Sequence, residues 1–102
     1  MASHELAAAQ DQMVLLGRKS ARERVVSLIL MLSNSAMRHG RPGDPVFLPM
    51  SRSDIADYLG LTTETVSRTF TSLKKQGLIE LLDDKQIRLS RLSALREIAE
   101  GF

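Results

Sequence analysis

The chain contains no cysteine among its 102 residues, which excludes a disulfide framework, thiolate metal sites, iron–sulfur ligation and thiol redox sensing within it. A large excess of one charge is also missing. Lysine and arginine number 14 against 12 aspartates and glutamates, a formal net charge of +2, so the chain is not a polycation that coats nucleic acid without discrimination. The placement of charges must therefore carry any argument about partners. The longest apolar run, Val25 to Leu32, is interrupted by Ser27 and is far too short to cross a bilayer. The N-terminus has no basic region followed by an apolar core. A soluble, cytoplasmic protein with no membrane partner is expected. His4 and His39 stand at no spacing that pairs either with a nucleophile or a metal partner, so neither catalysis nor a metal site is expected. There are no internal repeats and no low-complexity segment. The length holds one domain with one modest core.

Leu6, Ala9, Met13 and Leu16 recur at alternating spacings of three and four, the seam of a short coiled coil. Two heptads do not hold an isolated helix together in water, so segment 1–17 reads as the tail of a longer dimer helix. After Gly17 comes a basic cluster, Arg18, Lys19, Arg22 and Arg24, beside a helix start where Ser20 and Glu23 have capping-box spacing. Val25, Leu28, Ile29, Leu32 and Ala36 then mark a scaffold helix from about Ala21 to Met37. Residues 39–45, HGRPGDP, are a loop, because four glycines and prolines exclude helix and central strand. Val46 to Leu48 supply a short strand. Ser51 caps a helix from Arg52 to Leu59, Thr62 caps a second that continues to Gln76, and Gly77 stops it in a left-handed conformation. Leu78 to Leu82 and Gln86 to Leu89 form a hairpin with Ile79, Leu81, Ile87 and Leu89 on one side. Leu92, Leu95, Ile98 and Ala99 mark a terminal helix covering one edge of the domain. The fold class is mainly α with a small β-hairpin, a winged helix-turn-helix, with domains at 1–17 and 18–102 and its recognition helix at about 62–76.

The chemistry concentrates between Arg52 and Gly77. Ala56 permits a close helix crossing, Gly60 accepts a positive φ, and Ile55, Leu59, Leu61 and Val66 fill the space between the two helices. On the second helix, Val66, Phe70 and Leu73 share one face, while Glu64, Ser67, Arg68, Thr71 and Lys75 project from the other. That outward face suits a DNA major groove. Arginine donates two bonds to guanine, glutamate accepts from cytosine, serine and threonine reach a base edge or a thymine methyl, and lysine meets phosphate. Glu64 and Arg68, four residues apart, also fit a plain solvent-exposed helix pair. Lys74, Lys75, Lys85 and Arg88 are candidates for phosphate. The alternative function is a winged helix used only for protein–protein interaction. Its mark would be an apolar outward face, where this chain carries Glu64, Ser67, Arg68 and Thr71.

Residues 48–80, LPMSRSDIADYLGLTTETVSRTFTSLKKQGLIE, closely resemble the DNA-binding motif of the Crp/Fnr family of bacterial transcription regulators. Residues 13–25, MVLLGRKSARERV, resemble the end of that family's dimerisation helix and the start of its DNA-binding domain. Glu64, Ser67 and Arg68 are similar to the Fnr and FixK branch, whose recognition helices carry a Glu, two residues, then Ser-Arg. The cyclic-AMP receptor branch has Arg where this chain has Thr63 and Gly where it has Ser67, and Thr63 also departs from the aliphatic residue common in Fnr relatives. The resemblance implies a transcription regulator that reads a palindromic TTGAT-like site in double-stranded DNA as a homodimer. Thr63, Glu64, Ser67 and Arg68 would then read bases, and Ser51, Arg52, Thr62, Thr71, Lys74, Lys75 and Lys85 would meet phosphate or flanking positions. It further implies that the loop from His39 to Val46 is a surface for RNA polymerase. Family members carry an N-terminal β-roll sensor that has no counterpart in this sequence, so a DNA-binding fragment without a cofactor is expected.

Overall fold

Three hydroxyl caps frame the chain, in a computed structural model that describes residues 19–83 and 85–101. The proposed seam residues Leu6, Ala9, Met13 and Leu16 lie outside the described residues, as do the rest of segment 1–17, His4 and Arg18. Ser20 accepts a hydrogen bond from the Glu23 N–H at 3.1 Å while the Glu23 carboxylate accepts from the Ser20 N–H at 3.1 Å. This is the reciprocal box that the spacing predicts, and it opens α1, Ala21–Arg38. Ser51 accepts from the Asp54 N–H at 3.1 Å at the head of α2, Arg52–Leu59. Thr62 accepts from the Thr65 N–H at 3.1 Å at the head of α3, Thr63–Lys75. The last helix, α4, spans Leu92–Glu100 and has no side-chain cap.

The hairpin of β2, Ile79–Leu81, and β3, Gln86–Leu89, has the expected register, with Ile79 opposite Leu89 and Leu81 opposite Ile87. Asp83 makes the turn, its carboxylate accepting from the Lys85 N–H at 2.7 Å and the Gln86 N–H at 2.9 Å. The hairpin is widened to a three-stranded antiparallel sheet of order β1-β3-β2, because β1, Val46–Phe47, pairs with β3. Leu48 lies just past the strand, yet its N–H still bonds the Lys85 carbonyl at 2.6 Å.

All these elements close on one core. Val25, Val26, Leu28 and Ile29 of α1 are buried with Ile55, Ala56 and Leu59 of α2, Val66, Phe70 and Leu73 of α3, Val46, Leu48, Ile79, Ile87 and Leu89 in and beside the sheet, and Leu95 of α4. Burying one such large aliphatic or aromatic side chain fully is worth about 1.5–3 kcal/mol, so the fold rests on apolar packing rather than on surface charge. Helix α4 packs chiefly against α1, with Ala99 and Gly101 beside Lys19 and Glu23. Leu92 shares the periodic face of α4 but is 38% exposed: it sits in the uncapped first turn, and burial begins with Leu95 a turn later. The loop after α1 is tied at two points. The Ser33 hydroxyl donates to the Gly43 carbonyl at 2.7 Å, and the Asp44 carboxylate accepts from the Leu89 N–H at 3.0 Å. His39 is the C-cap of α1 rather than a free loop residue, with Nδ1 2.8 Å from the Ser35 carbonyl oxygen.

Two members of the basic cluster are struts. Lys19 Nζ donates to the Ala99 carbonyl at 3.0 Å and lies 3.3 Å from the Ser27 hydroxyl, which fixes the end of α4 to the entry of α1. Arg24 donates through Nε to the Lys19 carbonyl at 3.2 Å and through Nη1 to the Leu59 carbonyl at 3.0 Å. That second bond satisfies one of the carbonyls left without a partner at the end of a helix, and it ties the start of α1 to the turn between α2 and α3. No described helix is long and apolar enough to cross a membrane.

Candidate nucleic-acid interface

The geometry of α3 follows from how the chain reverses between Leu59 and Thr62. Gly60 has φ 71° and ψ 34°, a left-handed conformation that costs a residue with a Cβ free energy. Both the Gly60 and Leu61 N–H groups bond the Ala56 carbonyl, the latter at 2.8 Å. Ala56 is buried at the crossing, where a larger side chain would hold α2 and α3 apart. Val66, Phe70 and Leu73 then anchor α3 to the core along one face. Because the helical period is 3.6, the opposite face must turn outward.

That outward face holds the expected base-reading residues, and all are exposed: Thr63, Glu64, Ser67 and Arg68, with Thr71, Lys74 and Lys75 further along. The structure brings Glu64 and Arg68 together. Arg68 Nη2 donates to Glu64 Oε1 at 2.8 Å, with side chains 71% and 81% exposed for Arg68 and Glu64 respectively. An ion pair this open is worth a few tenths of a kcal/mol to the fold, so its lasting effect is orientation of the guanidinium. Thr71 donates its hydroxyl to the Ser67 carbonyl at 3.0 Å, and the Thr62 hydroxyl donates to Thr65 Oγ1 at 2.8 Å.

The other expected contacts sort differently. Ser51 is exposed, but its hydroxyl is occupied by the Asp54 N–H. Arg52 is half-buried, its guanidinium carbon 4.1 Å above the centroid of the Phe70 ring, a cation–π packing that braces α2 against α3. Lys85 is exposed in the β2–β3 turn, and Arg88 is exposed on β3 opposite Glu80. The only titration shift of note on the described surface is that of Glu23, held below the usual glutamate range first by the Ser20 N–H and then by the Ser20 hydroxyl. It belongs to the α1 cap, away from the reading face.

Sequence reasoning missed what lies along one flank of α3. Arg22, in the first turn of α1, shares a shallow groove with Thr65, Arg68, Thr69 and Ser72. The three hydroxyl residues fall at spacings of four and three, so one helix flank was readable from the sequence; the arrival of Arg22 beside it was not.

Comparison with known proteins matches residues 23–98 to the Crp-like helix-turn-helix domain. The chain is 52% identical over 82 residues to the nitrogen fixation regulation protein FixK of Bradyrhizobium diazoefficiens, covering 80% of this chain and 35% of that protein. It is 40% identical over 103 residues to the transcriptional activator protein FnrL of Cereibacter sphaeroides, covering 97% and 42%. Among solved structures, FixK2 from Bradyrhizobium japonicum superposes with a TM-score of 0.77 at 41% identity, covering 95% of this chain and 47% of that one. The chain thus spans less than half the length of these relatives.

Proposed function

Since this chain belongs to the Crp/Fnr family of transcription regulators, we propose that it is the DNA-reading part of such a regulator, with α3 lying in the major groove. The observation that carries this reading is the division of α3. Its dry face, Val66, Phe70 and Leu73, is fixed in the core, while Glu64, Ser67 and Arg68 stand exposed on the far side. A helix is about 10–12 Å across and the major groove about 12 Å wide, so the exposed face meets base edges.

In this arrangement Arg68 donates to guanine O6 and N7, Glu64 accepts from a cytosine amino group while steering Arg68, and Ser67 and Thr63 contact neighbouring edges. Lys74, Lys75 and Lys85 neutralise phosphates. The half-site is TTGAT-like, as the likeness to FixK and FnrL suggests. Two copies, joined through Leu6, Ala9, Met13 and Leu16, place two reading helices about 34 Å apart on one face of a palindrome. The tethered loop from His39 to Val46 offers a fixed surface for RNA polymerase, in keeping with relatives named as activators. Residues 19–101 need no cofactor for this role, and the protein acts in the cytoplasm, where bacterial DNA lies.

Selection of bound duplexes from a random pool tests the reading in one step. Inverted TTGAT-like half-sites spaced about one helical turn apart are expected. Recovery of random sequence, or of nothing, overturns it.

A further inference from the structure

We infer that Arg22 is a DNA-phosphate contact, seated on the flank of α3 where one strand of the duplex runs past the reading helix. This rests on the DNA-reading role proposed above. Of the described members of the basic cluster, Lys19 and Arg24 are committed to backbone carbonyls of other elements. Arg22 has neither an ion pair nor a hydrogen bond among the described residues. Its nearest acidic neighbour in sequence, Glu23, is engaged by Ser20. A half-buried guanidinium without a partner still needs acceptors for its donors.

The groove it lines shows what those acceptors are. Arg22 faces Thr65, Arg68, Thr69 and Ser72. The Thr69 hydroxyl is used up in donating to the Thr65 carbonyl at 2.8 Å. Thr65 Oγ1 accepts from Thr62, and Ser72 Oγ accepts from Gln76 Nε2 at 3.3 Å, so both of these hydroxyls keep a proton to donate. Two guanidiniums and two hydroxyl donors line this groove without a carboxylate. The matching ligand is an anion with several acceptor oxygens and no donor, which is the chemistry of a phosphodiester.

Position supports the same ligand. A helix that fills the major groove has one sugar–phosphate strand along each flank. Arg68 borders the groove and also belongs to the reading face, so the two surfaces are continuous. On the other flank, Arg52 lies over Phe70, which shares a ridge with Ser67 and Lys74. Two arginines from two different helices therefore bracket α3, one toward each strand. Arg22 is the one that sequence reasoning left unassigned.

The test uses the full chain with a duplex carrying the selected site, a random duplex, and the selected duplex with single phosphates replaced by neutral methylphosphonates. Arg22→Ala is expected to weaken the selected and random duplexes by the same factor, roughly three- to tenfold per half-site near 0.1 M salt, and to reduce the slope of log K against log salt by about 0.9 per contact. Arg22→Lys should restore much of both. One methylphosphonate position should abolish the difference between wild type and Arg22→Ala. Wild-type binding with unchanged affinity and slope in Arg22→Ala overturns the assignment, as does a loss confined to the selected sequence. Failure of the wild type to bind any duplex instead overturns the DNA-reading role itself, and this contact with it.

Discussion

Replacing Arg68 with alanine separates reading from folding, because the structure assigns very different energies to the two. In the free protein Arg68 is 71% exposed and its one bond is to a Glu64 that is 81% exposed. Such a pair contributes a few tenths of a kcal/mol, and arginine and alanine are both good helix formers. Stability should therefore change by no more than about 0.5 kcal/mol, below what a thermal or urea midpoint resolves clearly. On DNA the same side chain makes a bidentate guanine contact worth about 1–3 kcal/mol of discrimination, or roughly 5- to 150-fold per half-site. The assay is competition binding by fluorescence anisotropy on three duplexes: the selected site, that site with the contacted guanine replaced, and random sequence. Arg68→Ala should lower affinity for the first sharply, bring it near the second, and lower the third only by the electrostatic share of one cation. Arg68→Lys adds a control, since it keeps the charge but loses the planar fork. It should retain the salt dependence while losing the preference for guanine. Equal losses on all three duplexes for Arg68→Ala, or wild-type discrimination by Arg68→Lys, would refute the reasoning.

Other consequences are measurable on the protein alone. Gly60→Ala forces a Cβ into φ 71°, with only the Arg24 guanidinium near it at 3.7 Å. The strain of about 1–2 kcal/mol is partly offset by about 0.4–1 kcal/mol of reduced unfolded-chain entropy. A net loss near 1 kcal/mol should lower the melting midpoint by about 4–8 °C, with Gly60→Asn milder; a neutral Gly60→Ala would contradict the turn geometry. Gly43→Ala fails for a different reason, since its Cβ would lie 2.8 Å from Ser33 Oγ and 3.0 Å from Met37 Cγ and Sδ. Urea unfolding should show a loss of about 1–3 kcal/mol, smaller when Ser33→Ala is already present, and strict additivity would count against the clash. For Glu23 the sign is that of a carboxylate whose folded pKa is depressed by the Ser20 N–H and hydroxyl. Its contribution is complete above the ordinary glutamate pKa and is lost as pH falls through the depressed one. The stability gap between wild type and Glu23→Gln should thus narrow on acidification below the ordinary carboxylate range. A gap independent of pH would show that the charge plays no part in the cap.

What could be read from the sequence was what local chemistry determines. Ser20 with Glu23, Ser51 with Asp54, and Thr62 cap helices because a hydroxyl three residues from an open N–H reaches it without help from the rest of the fold. Gly60 and Gly77 have φ of 71° and 74° for reasons equally local. The buried faces of the first three helices follow from periodicity, and so does the exposure of Glu64, Ser67 and Arg68. Long-range partners were not legible. Lys19, Arg22 and Arg24 look alike in sequence, but the first two struts are completed 80 and 35 residues away, by Ala99 and Leu59, and the third residue is left to face α3. Val46 and Phe47 pair with β3 rather than beside their chain neighbours, a choice set by the core and not by the strand itself. Arg52, expected at phosphate, lies over Phe70 because packing α2 on α3 brings the ring beneath it.

The hydrogen bonds of the free reading helix also constrain how discrimination can arise on it. The Thr71 hydroxyl already donates to the Ser67 carbonyl, and the Thr69 hydroxyl to the Thr65 carbonyl, the back-bonding that threonine makes within helices. A base edge approaching Thr71 therefore exchanges one bond for another, and the net gain is small. Arg68 differs because Glu64 occupies one of its five donors. The remaining N–H groups can meet guanine while the ion pair persists, so orientation is kept and little is given up. Ser67 differs again, since its hydroxyl has no partner among the described residues and enters the interface with nothing to exchange. The helix thus arrives at DNA with one pre-aimed fork and one uncommitted hydroxyl a single residue apart. Those two positions, rather than the whole polar face, are where sequence preference must concentrate.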